Sequence, residues 1–165
     1  MKNKIFSILL VSIIVIGLTG CGCSKSSKTY VLTCTYYEKA ENEYEANTNR
    51  KEEFTYDGDN ILKKLVANTE YEYSSKERAD RFKTVETNSA KRANTYPGVN
   101  ATIDSVSDTK YSVNYEYDME KVEPEIVFYS LDYIDEDNKF FVDKYVSFFE
   151  DTYKNMNGKC TVTEK

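Results

Sequence analysis

The sequence contains no histidine and no tryptophan. Without imidazole, the common histidine-based zinc and iron sites are excluded, and so is the side chain that most often performs general acid–base catalysis. No serine sits in the glycine pattern of a nucleophile elbow. There is no basic excess either: 22 Lys and Arg stand against 28 Asp and Glu. A nucleic-acid partner is therefore not expected, because its binders carry a basic patch. Carboxylate pairs could replace histidine, as they do in glycosidases. With 28 acids in 165 residues such pairs arise by chance, so the reading is a non-enzymatic chain that needs no cofactor and no metal.

Long apolar runs are scarce. The one that exists, Ile5 to Ile16, is broken only by Ser7 and Ser12 and follows Lys2 and Lys4. A positive start, a short apolar run and small residues after it describe a secretory signal. A membrane span needs about 20 residues, so the run is too short to cross. It ends in Leu18-Thr19-Gly20-Cys21, which resembles a bacterial lipobox. That resemblance implies a diacylglycerol on the Cys21 thiol and cleavage before Cys21. One acyl chain gives only marginal membrane binding, whereas two or three hold firmly. The expected organisation is a signal peptide over 1–20, a flexible polar tether over 21–28 and one domain over 29–165. The domain would lie outside the cytoplasm, held on the cell membrane by the lipid on Cys21. Without Lys2 and Lys4 the chain has 20 basic and 28 acidic residues, a net charge of −8.

Alternation and turn signals then set the fold class. Thr29 to Tyr37 is β-rich, and Glu38 to Arg50 reads as a loop or a frayed continuation. Asp57-Gly58-Asp59-Asn60 between two apolar-patterned runs is a hairpin signal. In the second run Ile61, Leu65, Ala67, Tyr71 and Tyr73 would share the core face. Ser74-Ser75-Lys76-Glu77 has capping-box spacing and opens a helix to about Asn94, with Phe82, Val85, Ser89 and Ala93 as its apolar stripe. Tyr96-Pro97-Gly98 stops it. A second hairpin follows over 101–107 and 111–117. Glu125 to Ile134 fits either period and leans to a short helix. Asn138 to Asn155 is a helix, with Asp135 and Asp137 at its positive end and Asn157-Gly158 as its stop. A short tail closes the chain. The sum is an α+β domain, an antiparallel β-sheet with helices packed on one face.

Several of these segments together resemble the YehR-like family of small bacterial lipoproteins. The resemblance rests on Phe54 to Lys63, Ser75-Lys76-Glu77-Arg78-Ala79, Tyr96-Pro97-Gly98-Val99 and Tyr115-Glu116-Tyr117-Asp118, and it spans about Thr29 to Val122. It implies a lipoprotein and carries over no catalytic residue. Cys34, Cys160 and a long aromatic C-terminal helix depart from the pattern.

Cys34 and Cys160 are the expected disulfide pair, since Cys21 takes lipid, Cys23 sits in the tether and an oxidising compartment permits the bond. Charge is also unevenly spread. Residues 116–137 hold nine acids and one base, a net of −8 equal to that of the whole chain after the signal. Asp135, Glu136 and Asp137 within it form a candidate acidic interaction surface, able to recruit a basic partner or repel an anionic envelope. They lack the glycine and spacing of a calcium loop. Three functions stay open at this point. One is a binding or accessory module for a protein or envelope component. Another is a small-ligand carrier with an aromatic pocket between sheet and helices, and the third is a carboxylate hydrolase.

Overall fold

A computed structural model describes residues 28–128 and 131–165. The signal segment, Cys21 and the tether through Ser27 lie outside the described residues. Six strands form one sheet: β1 Thr29–Glu38, β2 Asn47–Asp57, β3 Leu62–Glu72, β4 Val99–Ser105, β5 Lys110–Asp118 and β6 Lys159–Glu164. Their order is β4-β5-β3-β2-β1-β6, and every neighbouring pair is antiparallel. Among the described residues the helices are α1 Lys76–Ala93, α2 Pro124–Val127 and α3 Val142–Tyr153, with 3₁₀ turns at Leu131–Tyr133 and Lys154–Met156. No helix among the described residues is long and apolar enough to cross a membrane.

The register explains why one face is covered. Directly opposed residues in antiparallel strands share a face, and Cys160, Cys34, Glu52, Ala67, Tyr115 and Ala101 form one such row across all six strands. On this face Leu32, Phe54 and Leu65 meet Phe140, Tyr145 and Phe149 from the C-terminal half. α1 lies on the same face over β4 and β5, burying Ala79 and Ala90. The opposite face is polar and carries ion pairs between neighbouring strands, Lys64–Glu116 at 2.5 Å and Lys110–Glu70 at 2.7 Å. The fold is thus α+β with helices on one face, in a single domain.

The structure departs from the sequence pattern in several places, among them the closing tail, which is the edge strand β6. β2 begins at Asn47, so only the turn before it is loop. The β2–β3 register slips between Thr55 and Tyr56, which sends Leu62 rather than Ile61 into the core. The cap of α1 is Ser75, whose Oγ accepts the Arg78 amide, so Glu77 makes no capping box with Ser74. Val85 is exposed and Phe82 partly so, and the residues the helix buries against the sheet are the small Ala79 and Ala90. Another is α3, which starts at Val142: Ile134 pairs with Phe140 across a small hairpin, and Asp135 to Asn138 form its turn, not a helix start. Asn138 adopts a left-handed backbone there, φ 61°.

Candidate functional site

β1 begins at Thr29, opposite Asp57 on β2, and the Lys165 amide donates to the Thr29 carbonyl. That end of the sheet also gathers the acidic turns. Asp57 Oδ1 accepts the amides of Asp59 and Ile61, at 3.0 and 2.9 Å. Asp135 Oδ1 accepts those of Asp137 and Lys139, at 3.0 and 2.8 Å. The two turns lie side by side, because the Phe140 amide donates to the Asn60 carbonyl at 2.7 Å and the Leu62 amide to that of Asn138 at 3.4 Å. Asp118 and Glu120 complete this end through the Met119 amide, which bonds the Lys63 carbonyl. The Lys121 ammonium holds the Asp118 carboxyl below its usual range. Among the described residues no three His, Cys, Asp or Glu side chains are placed to hold a metal ion.

Further up β1, Cys34 and Cys160 are directly opposed, their Cα atoms 4.1 Å apart, and their sulfurs are joined. Beside them a polar cluster interrupts the apolar face. The Glu52 carboxylate, 7% exposed, accepts from the Tyr145 hydroxyl and pairs with the Arg50 guanidinium. Burial works against the charge of Arg50, but Glu52 and the Tyr36 hydroxyl outweigh it, and its pKa rises. Burial pushes the Tyr36 hydroxyl up to about 12, with Arg50 opposing. Burial first, then Glu52, raises Tyr145 further. With both carboxylate oxygens engaged, Glu52 is held as a structural acceptor inside the core. A buried charge with its partners removed is costly, which fixes α3 over β2.

The two outer strands differ. On β4 the Asn94 side chain, at the end of α1, donates to the Ala101 carbonyl at 2.9 Å and accepts the Ala101 amide at 2.6 Å. It therefore occupies the outward backbone groups at the centre of that edge. On β6 the close Cys34–Cys160 pair and the Lys165–Thr29 bond set the phase: Thr161 and Thr163 point their backbone toward β1, while Cys160, Val162 and Glu164 point theirs outward. No group among the described residues bonds those outward amides and carbonyls. Next to Val162 lies an open hollow of about 520 Å³ lined by Tyr56, Asn60, Phe140, Phe141, Val142, Asp143 and Lys144.

No family model matches the chain. A curated protein of Escherichia coli (strain K12), the uncharacterized lipoprotein YehR, is 32% identical over 127 residues, covering 73% of this chain and 72% of that one. The chain belongs to the YehR lipoprotein family. Two solved structures are also similar. The NMR structure of a Streptococcus pneumoniae TIGR4 protein has 16% identity, covers 82% of this chain and 85% of that one, and gives a TM-score of 0.46. The NMR structure of Escherichia coli YehR has 26% identity, covers 58% and 65%, and gives 0.40.

In this YehR-family domain, the structure joins Cys34 to Cys160 and places Asp135, Glu136 and Asp137 in a turn at the end of the sheet where β1 begins, apart from the disulfide. Cys21 lies outside the described residues. Sequence reading missed Arg50, Glu52 and the β6 edge. A signal existed for the first two: Arg50, Glu52 and Phe54 alternate at period 2 and so share a face with the core residue Phe54.

Proposed function

We propose that this YehR-family chain is a non-enzymatic binding or accessory module of the cell envelope, tethered by acyl chains on Cys21. The observation that carries the reading is that the tether exit and the acidic turns at Asp57–Asn60, Asp118–Glu120 and Asp135–Asn138 share one end of the sheet. An acidic end facing an anionic bilayer is repelled by it. The tether lets the domain stand off by up to roughly 25 Å, the extended reach of seven residues. Such a domain presents its sides to partners on the same surface without lying on the lipid. The aromatic side chains between sheet and helices are engaged with one another, as in the Phe54–Phe140 stack at 5.0 Å and the Tyr36–Tyr153 stack at 4.2 Å. That favours a binding surface over an internal carrier pocket.

The test uses the lipidated chain in vesicles with and without anionic lipid. Energy transfer from a label at Tyr44, at the far end, to a membrane dye should report a greater stand-off on anionic vesicles. The Asp135→Asn, Glu136→Gln, Asp137→Asn variant should bring the domain closer, most clearly at low salt. Quantitative cross-linking in native membranes should trap discrete envelope partners that are lost with Cys21→Ser. Turnover of a glycan or peptide by the purified chain, abolished by removing a single carboxylate, would overturn the non-enzymatic reading.

A further inference from the structure

β6 presents an open strand edge. Natural sheets protect such edges with central charges, proline, bulges or a covering element. β4 follows that rule through Asn94. β6 does not: its centre is Cys160-Thr161-Val162-Thr163, with charges only at Lys159 and Glu164, and Val162 is 50% exposed. A lone six-residue edge strand frays easily, yet here the bond from Cys160 to the buried Cys34 fastens it to β1. The outward groups of Cys160, Val162 and Glu164 are thereby held in line as a template.

We infer that the β6 edge is a strand-addition site for an extended peptide segment of a partner protein, with an apolar residue for the hollow and basic residues beyond it. The backbone of that segment pairs with Cys160, Val162 and Glu164, which supplies affinity. Alternate side chains on the core face enter the hollow between Val162, Phe141 and Val142, which supplies selectivity. Charge sets the flank. The hollow, which Lys144 also lines, is bounded by Asn60 and Phe140 beside the turns carrying Asp57, Asp59, Asp135, Glu136 and Asp137; Lys63 and Lys139 pair with Asp57 and Asp137, so a segment continuing toward the tether end runs beside a net negative charge. The tether exit fixes the location: the Lys28 ammonium pairs with Glu164 on β6 itself at 2.9 Å, which keeps this edge within tether reach of the bilayer. A second copy fits less well. Antiparallel pairing of two β6 strands points the two tether exits in opposite directions, whereas both anchors enter one membrane. This inference rests on the binding-module reading, and its test is separate, because the stand-off measurement does not depend on the β6 edge and cross-linking reports a partner wherever on the domain it binds.

The probe is a synthetic peptide of alternating threonine and valine with three lysines at one end, added to the full lipidated chain in micelles and followed by NMR amide exchange. Exchange at Cys160, Val162 and Glu164 should slow at least ten-fold, while the β4 amides stay unchanged. Val162→Pro removes an outward amide without touching a β1 bond, a change that edge strands tolerate, and should weaken binding at least ten-fold. Val162→Lys, which keeps the amide and charges the edge, should do the same, with far-UV circular dichroism confirming the fold of both. A peptide N-methylated at the amides that face β6 should not bind. Raising salt should weaken the lysine-tailed peptide more than a tail-free one. Unchanged exchange on peptide addition, or equal binding of the N-methylated peptide, would overturn strand addition. A peptide-free chain that sediments as a dimer with these amides already slow would overturn the partner-peptide assignment in favour of a second copy.

Discussion

The two ends of the sheet are covered in opposite ways. Over β1, β2 and β6 the cover is a network of large rings: Phe54 meets Tyr145 at 4.4 Å, Phe149 meets Tyr153 at 4.7 Å, and a disulfide and the buried Glu52 carboxylate tie the layers together. Over β4 and β5 the cover is α1, which approaches through Ala79 and Ala90, is capped at its start by Ser75 and is tied to β4 at its finish by Asn94. Its one large stacking contact, Phe82 on Tyr73 at 5.0 Å, remains partly exposed. The first half is stabilised chiefly by buried apolar area, the second by helix capping and close backbone approach. The difference teaches that a thin apolar stripe on a helix is sufficient when small residues let it sit close and polar groups secure both ends. The cost is that this half has little burial to lose and the other half has much.

The comparison is sharpened most by truncating the ring network. Phe149 is fully buried between Tyr145, Tyr153 and Tyr36. Phe149→Ala should cost about 3–5 kcal/mol in urea unfolding, the usual range for a buried Phe→Ala change. No substitution confined to the exposed face of α1, such as Val85→Ala, should exceed about 0.5 kcal/mol. An equal loss at both sites would erase the distinction between the halves.

The staple comes next. Cys34 and Cys160 are separated by 126 residues, and the chain-entropy model gives at most about 5 kcal/mol for a loop of that size, with about 2–4 typical. The Cys34→Ser, Cys160→Ser variant should lose stability in that range. It should also speed amide exchange along β6 far more than along β4. Peptide mapping of non-reduced, alkylated protein checks the bond in the cell-derived chain: two free thiols there would remove the staple from the comparison.

A smaller effect belongs to the other edge. Asn94→Ala removes both side-chain bonds to Ala101. Those backbone groups gain water instead, so the loss should be about 1 kcal/mol in total. The same change opens the β4 edge, and the variant should self-associate at concentrations where the parent chain does not, as light scattering would show.

The parts of the fold that were legible in the sequence are those set by local rules. Asp57 to Asn60 marks its hairpin because Asp57 accepts the turn amides and Asn60 takes the left-handed backbone, φ 63°, and Tyr111, Val113, Tyr115 and Tyr117 alternate because β5 has one covered face. What stayed hidden depends on distant partners. Lys159 to Glu164 reads as a polar tail, since an edge strand beside β1 needs little apolar content of its own. Asp135 to Asn138 reads as a helix start until Phe140 is seen pairing with Asn60 and Ile134. Glu52 goes unmarked in the sequence because its satisfaction comes from Tyr145, 93 residues away. Of the candidate site residues, Cys34 and Cys160 were legible through compartment chemistry. The position of Asp135, Glu136 and Asp137 at the end of the sheet where β1 begins required the β1–β2 register.

The smallest effect isolates the weakly buried half. Glu86 on α1 faces the sheet tyrosines, and burial raises its carboxyl above the usual glutamate value. It lies close enough to Tyr71, Tyr111 and Tyr115 to raise their hydroxyls in turn, behind burial as the main cause. The folded chain then holds the Glu86 proton to higher pH than the unfolded chain does. Between the unfolded and the raised folded value, folded protein binds more protons than unfolded, so stability falls as pH rises. Above both values the penalty is constant. Glu86→Gln should therefore stabilise the chain modestly at neutral pH, and the gain should shrink as pH falls through the raised value and vanish below the ordinary glutamate range. Since Glu86 is half-buried, solvent screens the effect, and paired thermal melts of the two chains at matched pH are needed to read it. A gain that persists unchanged in acid would show that the substitution acts through α1 propensity rather than charge. A loss at neutral pH would show that the Glu86 carboxylate makes a favourable contact with the tyrosine floor, and the α1 half would then depend on polar contacts along its length as well as at its ends.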